Sequence, residues 1–355
     1  MPEEQVPLAA FSTLGVGGPA RWFFRATDAR HVGAAVDWSR ARGVPLFVLG
    51  GGSNVVVADT GFPGLVLHVA LAGVAVSGEG GEAIVTAAAG EPWDPLVRTT
   101  VERGLAGLEC LSGIPGSVGA TPIQNVGAYG QEVADTIERL TVYDRDAGEM
   151  RGMSAADCSF SYRSSRFKGR DAGRFVICEV AFRLRRAVRP PTYPDVRSHL
   201  ERQGIASPSV RDLRDAVLAV RRRKGMVIDD EDPDTRSVGS FFMNPVVTHA
   251  DRERIASAAG AAPPVFDLPD GGLKVPAAWL IERAGFHRGD AEGAAGISRK
   301  HTLALINRGG ATARDVLRFA ARIKRGVGER FGVSLRPEPV FVGFDADPDA
   351  DFLKT

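Results

Sequence analysis

Residues 107–130 read GLECLSGIPGSVGATPIQNVGAYG, with six glycines and two prolines in 24 positions. The stretch is too rich in breakers for a helix or strand and too apolar for a solvated linker. Glycine reaches positive φ and lets another backbone or a ligand approach where a Cβ would intrude. Proline fixes φ and removes an amide donor. Leu108, Leu111, Ile114, Val118 and Ile123 favour burial, which weighs against a surface Ω-loop. A buried irregular backbone must find partners for its amides, and a ligand rich in acceptors can supply them. The segment is expected to be a cofactor-cradling loop.

Upstream, GGGSN (50–54) follows the strand-like VPLFVL (44–49), so its backbone amides can surround a diphosphate. It is not a dinucleotide fingerprint, because Val55 stands where the third glycine belongs, and no GK[ST] follows to make a P-loop. Taken alone it is as readily a tight turn. Paired with 107–130 it becomes one jaw of a clamp on a large cofactor. The cofactor residues expected from the two segments are Gly50, Gly51, Gly52, Ser53 and Asn54, then Ser112, Gly113, Ile114, Pro115, Gly116, Gly119, Ala120, Asn125 and Gly127.

The rest of the chain alternates strand and helix signals. Asp28 is placed to cap a helix through about Ala41, with Gly43 as its stop. LVLHV (65–69), AIVTAAA (83–89), TIERLTVYD (136–144) and RFVICEVAFRL (174–184) read as strands, and 93–103 as a helix ending at Gly104. RRAVRPPTYPD (185–195) is basic, proline-rich and aperiodic, the clearest boundary, with a linker and mobile loop expected over about 185–208. Beyond it Ser209 caps a helix carrying Val210, Leu213, Val217 and Val220 on one face. DDEDPD (229–234) reads as a solvated acidic turn. Thr312 and Asp315 open a long helix with an apolar stripe from Val316 to Phe331, and 333–343 reads as a strand broken by prolines.

A chain of 355 residues exceeds one ordinary core, so two or three domains are expected. Hydrophobic residues at 44% and charged ones at 25% suit a soluble globular protein. A formal net charge of +1 gives no argument for nucleic acid or an anionic membrane. No apolar run reaches the roughly 18–20 residues that span a bilayer, and MPEEQVPLAAF lacks signal-peptide regions. Cys110, Cys158 and Cys178 are widely spaced and odd in number, expected as buried thiols in a reducing cytoplasm. The six histidines form no HxxxH or HExxH pattern, so no metal is inferred.

Three further segments bear chemistry. SYRSSRFKG (161–169) packs cations, aromatics and hydroxyls together, suited to gripping a carboxylate or phosphate, though a basic turn reads equally simply. GSFFMNP (239–245) suits a pocket-lining strand presenting Ser240 and Asn244, or a half-buried strand end. In LRPEP (335–339) a carboxylate between prolines could donate a proton, or join an edge salt bridge.

In this order the blocks LGGGSN (49–54), 107–130, YRSSRFK (162–168), RRRK (221–224), GSFFMNP (239–245), AAWLIERAGF (277–286) and RPEP (336–339) resemble the bacterial UDP-N-acetylenolpyruvoylglucosamine reductases, the MurB family. The resemblance runs from about Phe11 to Gly343. It implies an α+β fold: two N-terminal subdomains (1–70 and 71–187) forming a PCMH-type, vanillyl-alcohol-oxidase-like FAD module, then a C-terminal α+β substrate domain (188–355). It implies NADPH as co-substrate and reduction of the enolpyruvyl ether of UDP-GlcNAc to UDP-N-acetylmuramate, for peptidoglycan synthesis, in the cytoplasm and by a monomer. By resemblance Arg163, Ser240 and Glu338 are catalytic, and Tyr193, Lys224, Asn244, Arg288 and His301 lie near the substrate. Met243 stands where a lysine or threonine is frequent, and Arg336 and Pro339 flank Glu338 in an unusual way. An FAD-dependent sugar or alcohol oxidase of the same fold is the alternative. Such relatives often tether flavin through a histidine beside the glycine loop; none lies within 50–59, so FAD is expected to be non-covalent. A non-catalytic flavin- or nucleotide-sugar-binding module is a third reading, and the three catalytic side chains kept together argue against it.

Overall fold

A computed structural model of the chain describes residues 1–78, 80–268 and 271–355. It divides into two compact units: Met1–Val6, Ala20–Gly52 and Pro63–Val227 form the first, and Pro7–Pro19, Ser53–Phe62 and Ile228–Thr355 the second.

The first unit carries two larger sheets, a two-stranded ribbon of Gly127–Ala128 with Gln131–Glu132, and four α-helices among the described residues. One sheet orders Glu3–Pro7, Pro19–Ala26, Phe62–Val69 and Leu46–Leu49, the last two running parallel. The other is antiparallel, in the order Glu149–Ser154, Ile137–Asp144, Phe175–Arg185, Glu82–Ala88 and Val74–Ser77. Helix α1 (Ala29–Ala41) starts at Asp28, whose side chain accepts from the Arg30 amide at 2.8 Å. Helix α2 (Trp93–Glu102) buries Trp93, Leu96, Val97 and Val101. Helices α3 (Pro194–Arg202) and α4 (Val210–Arg223) follow, the second opened by a reciprocal capping box between Ser209 and Asp212. The expected face of α4, Val210, Leu213, Val217 and Val220, is buried.

The structure differs from the expected organisation at three points. The segment 185–208 is not all linker, because Pro194 occupies the first helical turn, where its missing amide costs nothing. Val196 and Leu200, one turn apart, are buried with Leu213 and Val217 against Cys110. For the same reason the chain leaves the first unit at Val227 rather than at 188, and α3 and α4 belong with the residues that precede them. Residues 7–19 and 53–62, within the expected first subdomain, belong to the second unit.

The second unit has its own core, with Phe241, Phe242, Leu280, Phe319, Ile323 and Phe331 all buried. Its main sheet orders Ser237–Ser240, Ala304–Asn307, Ala295–Ile297 and Ala291–Glu292. Helices α5 (His249–Ala259), α6 (Ala277–Arg283), α7 (Ala313–Phe331) and α8 (Pro348–Lys354) complete it. Helix α7 begins with the expected Thr312–Asp315 capping box and stops at Gly332, whose φ of 64° favours glycine. The 333–343 region contributes only a short strand, Val340–Val342, parallel to Val55–Val57. The acidic turn 229–234 is exposed at Asp229, Asp230 and Glu231, as expected, but anchored at its far end. Asp234 is buried and paired with Arg299 at 3.0 Å, and Asp232 pairs with Lys300 at 2.5 Å. Cys110, Cys158 and Cys178 are free and buried, and burial pushes their thiols up to about 12, 12 and 11.

Candidate functional site

In the first unit the two glycine-rich segments meet backbone to backbone. A Cβ on Gly51 would lie 2.6 Å from the Gly116 Cα, and one on Gly50 would lie 2.6 Å from the Ser117 hydroxyl. One on Gly119 would lie 2.5 Å from the Ala89 Cβ. No other residue fits such approaches. Leu108, Leu111 and Val118 are buried, so 107–130 is a packed loop and not a surface Ω-loop.

Much of the loop's polar backbone is satisfied by side chains. Buried Glu109 accepts from the Gly107 amide at 2.5 Å and from Gln131 at 2.8 Å, closing the neck of the loop. Trp93 Nε1 donates to the Leu111 carbonyl, and Ser165 Oγ to that of Ile123. Ser112 Oγ donates to the Glu109 carbonyl. Asn125, in the left-handed region at φ 47°, donates to Glu132 and the Ser161 carbonyl and accepts from the Ala134 amide. The polar side chains of Ser112 and Asn125 thus shape the loop.

Some groups remain open. Ser117 Oγ is buried without a hydrogen-bond partner. No hydrogen bond to the amides of Gly50, Gly51, Gly116 or Ser117 is present among the described residues. A buried hydroxyl left unmet costs about 1–3 kcal/mol, and a diphosphate or flavin carbonyl is the kind of acceptor that removes the cost. Together with the glycine cradle, this fits FAD. Ser117 was not among the expected residues. Its signal was only its place inside GIPGSVG, which serine's frequency in loops conceals.

Arg163 occupies a corner of the turn in which Ser161 and Ser164 exchange backbone hydrogen bonds. Its φ is 52°, a conformation glycine usually takes, and such strain persists where surroundings impose it. Its guanidinium donates to the Gly127 carbonyl and stacks on Tyr162, 5.3 Å from the ring centre. A Cβ on Gly127 would come within 3.0 Å of that guanidinium, so this glycine makes room for the arginine.

Tyr193 and Lys224, expected on a C-terminal domain, lie in the first unit. Tyr193 caps α3, Lys224 caps the end of α4, and Asp195 in the first turn of α3 holds Lys224 Nζ at 2.6 Å. Burial lowers the Lys224 pKa, but the Asp195 bond and nearby phenols outweigh it and leave it raised. Tyr129, also at positive φ, meets Tyr193 edge-on with ring centres 5.1 Å apart.

The second unit holds the other expected residues. Ser237 pairs with Ile306 and Ser240 with Ala304, so the outer strand has one extra residue, and Gly239 takes φ 75° there. Such a bulge re-aims the side chain that follows it. Phe241 and Phe242 are buried, whereas Ser240 is partly exposed and its hydroxyl makes no hydrogen bond among the described residues. Residues 336–338 run beside 241–243: the Glu338 amide donates to the Phe241 carbonyl at 2.9 Å, and the Met243 amide to that of Arg336 at 2.9 Å. Glu338 therefore lies opposite Phe241, the residue that follows Ser240. Asn54, from the Ser53–Phe62 excursion, accepts from the Val340 amide at 3.0 Å. Asn244 Oδ1 accepts from the Ala277 amide at the start of α6. His301 is half-buried in the turn entering Ala304–Asn307, and the Leu303 carbonyl just after it accepts from the Phe241 amide. Arg288 is exposed on the loop after α6. Backbone hydrogen bonds thus tie the segment 240–244 to the segments that carry Glu338 and His301.

Comparison with known proteins agrees with these halves. Residues 20–154 match the FAD binding domain family, and residues 232–342 the UDP-N-acetylenolpyruvoylglucosamine reductase, C-terminal domain. The chain is 50% identical to the UDP-N-acetylenolpyruvoylglucosamine reductase of Thermobifida fusca, over 95% of this chain and 97% of that one. It is 49% identical to that of Streptomyces coelicolor, over 95% and 89%. The crystal structure of the Thermus caldophilus enzyme superposes with a TM-score of 0.66 at 26% identity, covering 96% of this chain and all of that one. No described helix is long and apolar enough to cross a membrane. The α+β fold with its PCMH-type FAD module is therefore that of its relatives, and this chain belongs to the UDP-N-acetylenolpyruvoylglucosamine reductase family.

Proposed function

We infer that this chain is an FAD-dependent UDP-N-acetylmuramate dehydrogenase, reducing the enolpyruvyl ether of UDP-N-acetylglucosamine-enolpyruvate with NADPH for peptidoglycan precursor synthesis. The observation that supports the catalytic reading is the pairing of 336–338 with 241–243, in which Glu338 lies opposite Phe241, the residue after Ser240. FAD, when bound, relays hydride from NADPH to the enolpyruvyl double bond. Gly50, Gly51, Gly116 and Ser117 would hold it through amides and one hydroxyl.

The remaining chemistry falls to side chains. Adding hydride to the β-carbon builds negative charge on the α-carbon and its carboxylate. The Arg163 guanidinium, with Glu338 in its protonated form, stabilises that charge more than it stabilises the ground state, as electrostatic catalysis requires. Ser240 delivers a proton to the α-carbon. A hydroxyl is a weak acid, but the developing carbanion is strongly basic. Tyr193, Lys224, Asn244, Arg288 and His301 are the side chains we assign to substrate binding. The substrate is a small molecule. A net charge of +1 supports a protein that works without nucleic acid or a membrane surface, and we place it in the cytoplasm as a monomer.

The test is an absorption spectrum of the purified protein. A flavin band that bleaches with NADPH and returns on anaerobic addition of the enolpyruvyl sugar nucleotide is expected, with the flavin released by denaturation. Flavin that stays attached, or that is reoxidised only by O₂, would overturn the reading in favour of an oxidase.

A further inference from the structure

Gly113, in the turn that leads into the open part of the loop, is held by both of its backbone polar groups. Its amide donates to Asp94 Oδ1 at 2.6 Å, from the first turn of α2, and its carbonyl accepts from Arg221 of α4 at 3.3 Å. Asp94 in turn takes two parallel hydrogen bonds from Arg214 of α4, at 2.7 and 2.8 Å. The Arg214 side chain is only 10% exposed. Gly113 has φ 72°, and a Cβ there would meet Leu218 at 2.8 Å and Val227 at 3.0 Å. Helix α4 therefore fixes this one glycine by an ion-pair bridge, by a guanidinium and by direct packing.

A fork-to-fork pair taken from water contributes little net stability, because desolvation offsets the attraction. What it supplies is direction. The peptide it directs leads through Ile114 and Pro115 to Gly116 and Ser117, which lie against Gly51 and Gly50. Apolar packing would have sufficed to attach α4; a bidentate bridge to an amide sets the plane of that peptide.

We propose that Asp94 and Arg214 are positioning residues for the cofactor, orienting the Gly113 turn so that segment 114–117 presents its amides and the Ser117 hydroxyl to FAD. The proposal rests on the reading of 107–130 as the FAD cradle. It makes α4 the outer support of the flavin wall as well as the carrier of Lys224.

The test uses whole protein stripped of flavin and titrated with FAD by fluorescence quenching. Wild type, Asp94→Asn, Arg214→Lys and Gly51→Ala are compared, each with a urea unfolding curve of the apo form. Arg214→Lys keeps the charge and one contact, and so protects folding. Loss of a charge-assisted hydrogen bond is expected to raise the FAD Kd about tenfold or more in both bridge variants, measured well below the onset of unfolding. The reduction potential of the flavin still bound is expected to shift. Wild-type affinity and potential in both variants, with only a lowered urea midpoint, would show a purely structural bridge and overturn the proposal. If Gly51→Ala abolishes FAD binding while the bridge variants do not affect it, the proposal alone fails. If Gly51→Ala also binds FAD normally, the cradle reading fails with it.

Discussion

The loop at 107–130 and the strand at 237–240 present groups to ligands by opposite means. The loop has almost no ladder, so side chains hold its backbone: Glu109 on Gly107, Asp94 and Arg221 on Gly113, Trp93 on Leu111, Ser165 on Ile123. The strand and the residues just after it are held by main chain, 237–241 to 303–306 and 241–243 to 336–338, and the Ser240 side chain is left uncommitted. If Ser240 is the proton donor we propose, binding and chemistry divide: a wall for a large planar ligand is made of backbone shaped by side chains, and the reacting group is a side chain aimed by backbone.

The largest expected effect breaks this comparison if it fails. Ser240→Ala removes no hydrogen bond within the described residues, so unfolding by urea is expected to match wild type. Reoxidation of the reduced flavin by substrate is expected to slow about 10²–10³-fold, the usual loss for a transition-state donor, while bleaching by NADPH in a stopped-flow instrument is unchanged. A variant that turns over normally but unfolds early would make Ser240 a strand residue and nothing more.

On the loop the stability effect comes first. Gly119→Ala would put a methyl 2.5 Å from the Ala89 Cβ and 3.1 Å from its carbonyl oxygen. Overpacking of this kind costs about 1–3 kcal/mol, read as a lower urea midpoint together with flavin lost on gel filtration.

Acid sharpens the contrast, because one region depends on carboxylates. Burial raises the Asp94 pKa, but hydrogen bonds from Arg214 and the Gly113 amide outweigh it and hold the carboxyl below its ordinary 3.8. Its contribution is complete above that value and is lost as pH falls through the lower folded value. Flavin release, followed by fluorescence, is expected to steepen below that ordinary value in wild type and to flatten there in Asp94→Asn. An identical acid profile in the two proteins would remove Asp94 from the account.

Much of this was legible in the residues themselves. The caps at Asp28, Ser209 and Thr312 carry their own hydrogen-bond logic, and α4 and α7 show their buried faces as a 3.6-residue period. The apolar residues of 107–130 announced a packed loop. What escaped depends on partners far along the chain. Asp94 and Arg214 lie 120 residues apart, so nothing near either suggests that α4 belongs with the first unit. Helix α3 hid behind Pro190, Pro191 and Pro194, with only Val196 and Leu200 to mark its buried side. The anchoring of Asp232 and Asp234 at the end of the acidic turn escaped because their partners Lys300 and Arg299 are more than 60 positions downstream. The pairing of Glu338 with Phe241 runs through a proline-rich stretch, where periodicity is silent.

The smallest expected effect concerns Asn244, which stands between the two modes. Its Oδ1 accepts from the Ala277 amide at 2.9 Å, one of the first amides of α6, which lack intrahelical partners. Its Nδ2 makes no hydrogen bond among the described residues and is the part we propose meets substrate. Asn244→Ala is therefore expected to lower stability by about 1 kcal/mol, the usual loss of such a capping acceptor, with a smaller loss of turnover than Ser240→Ala. Asn244→Asp keeps the acceptor and replaces the donor by a charge, so it should restore the urea midpoint without restoring the substrate KM. If Asn244→Asp restored both, the carboxamide would be structural throughout, and the side chains of the second unit would hold backbone just as those of the loop do.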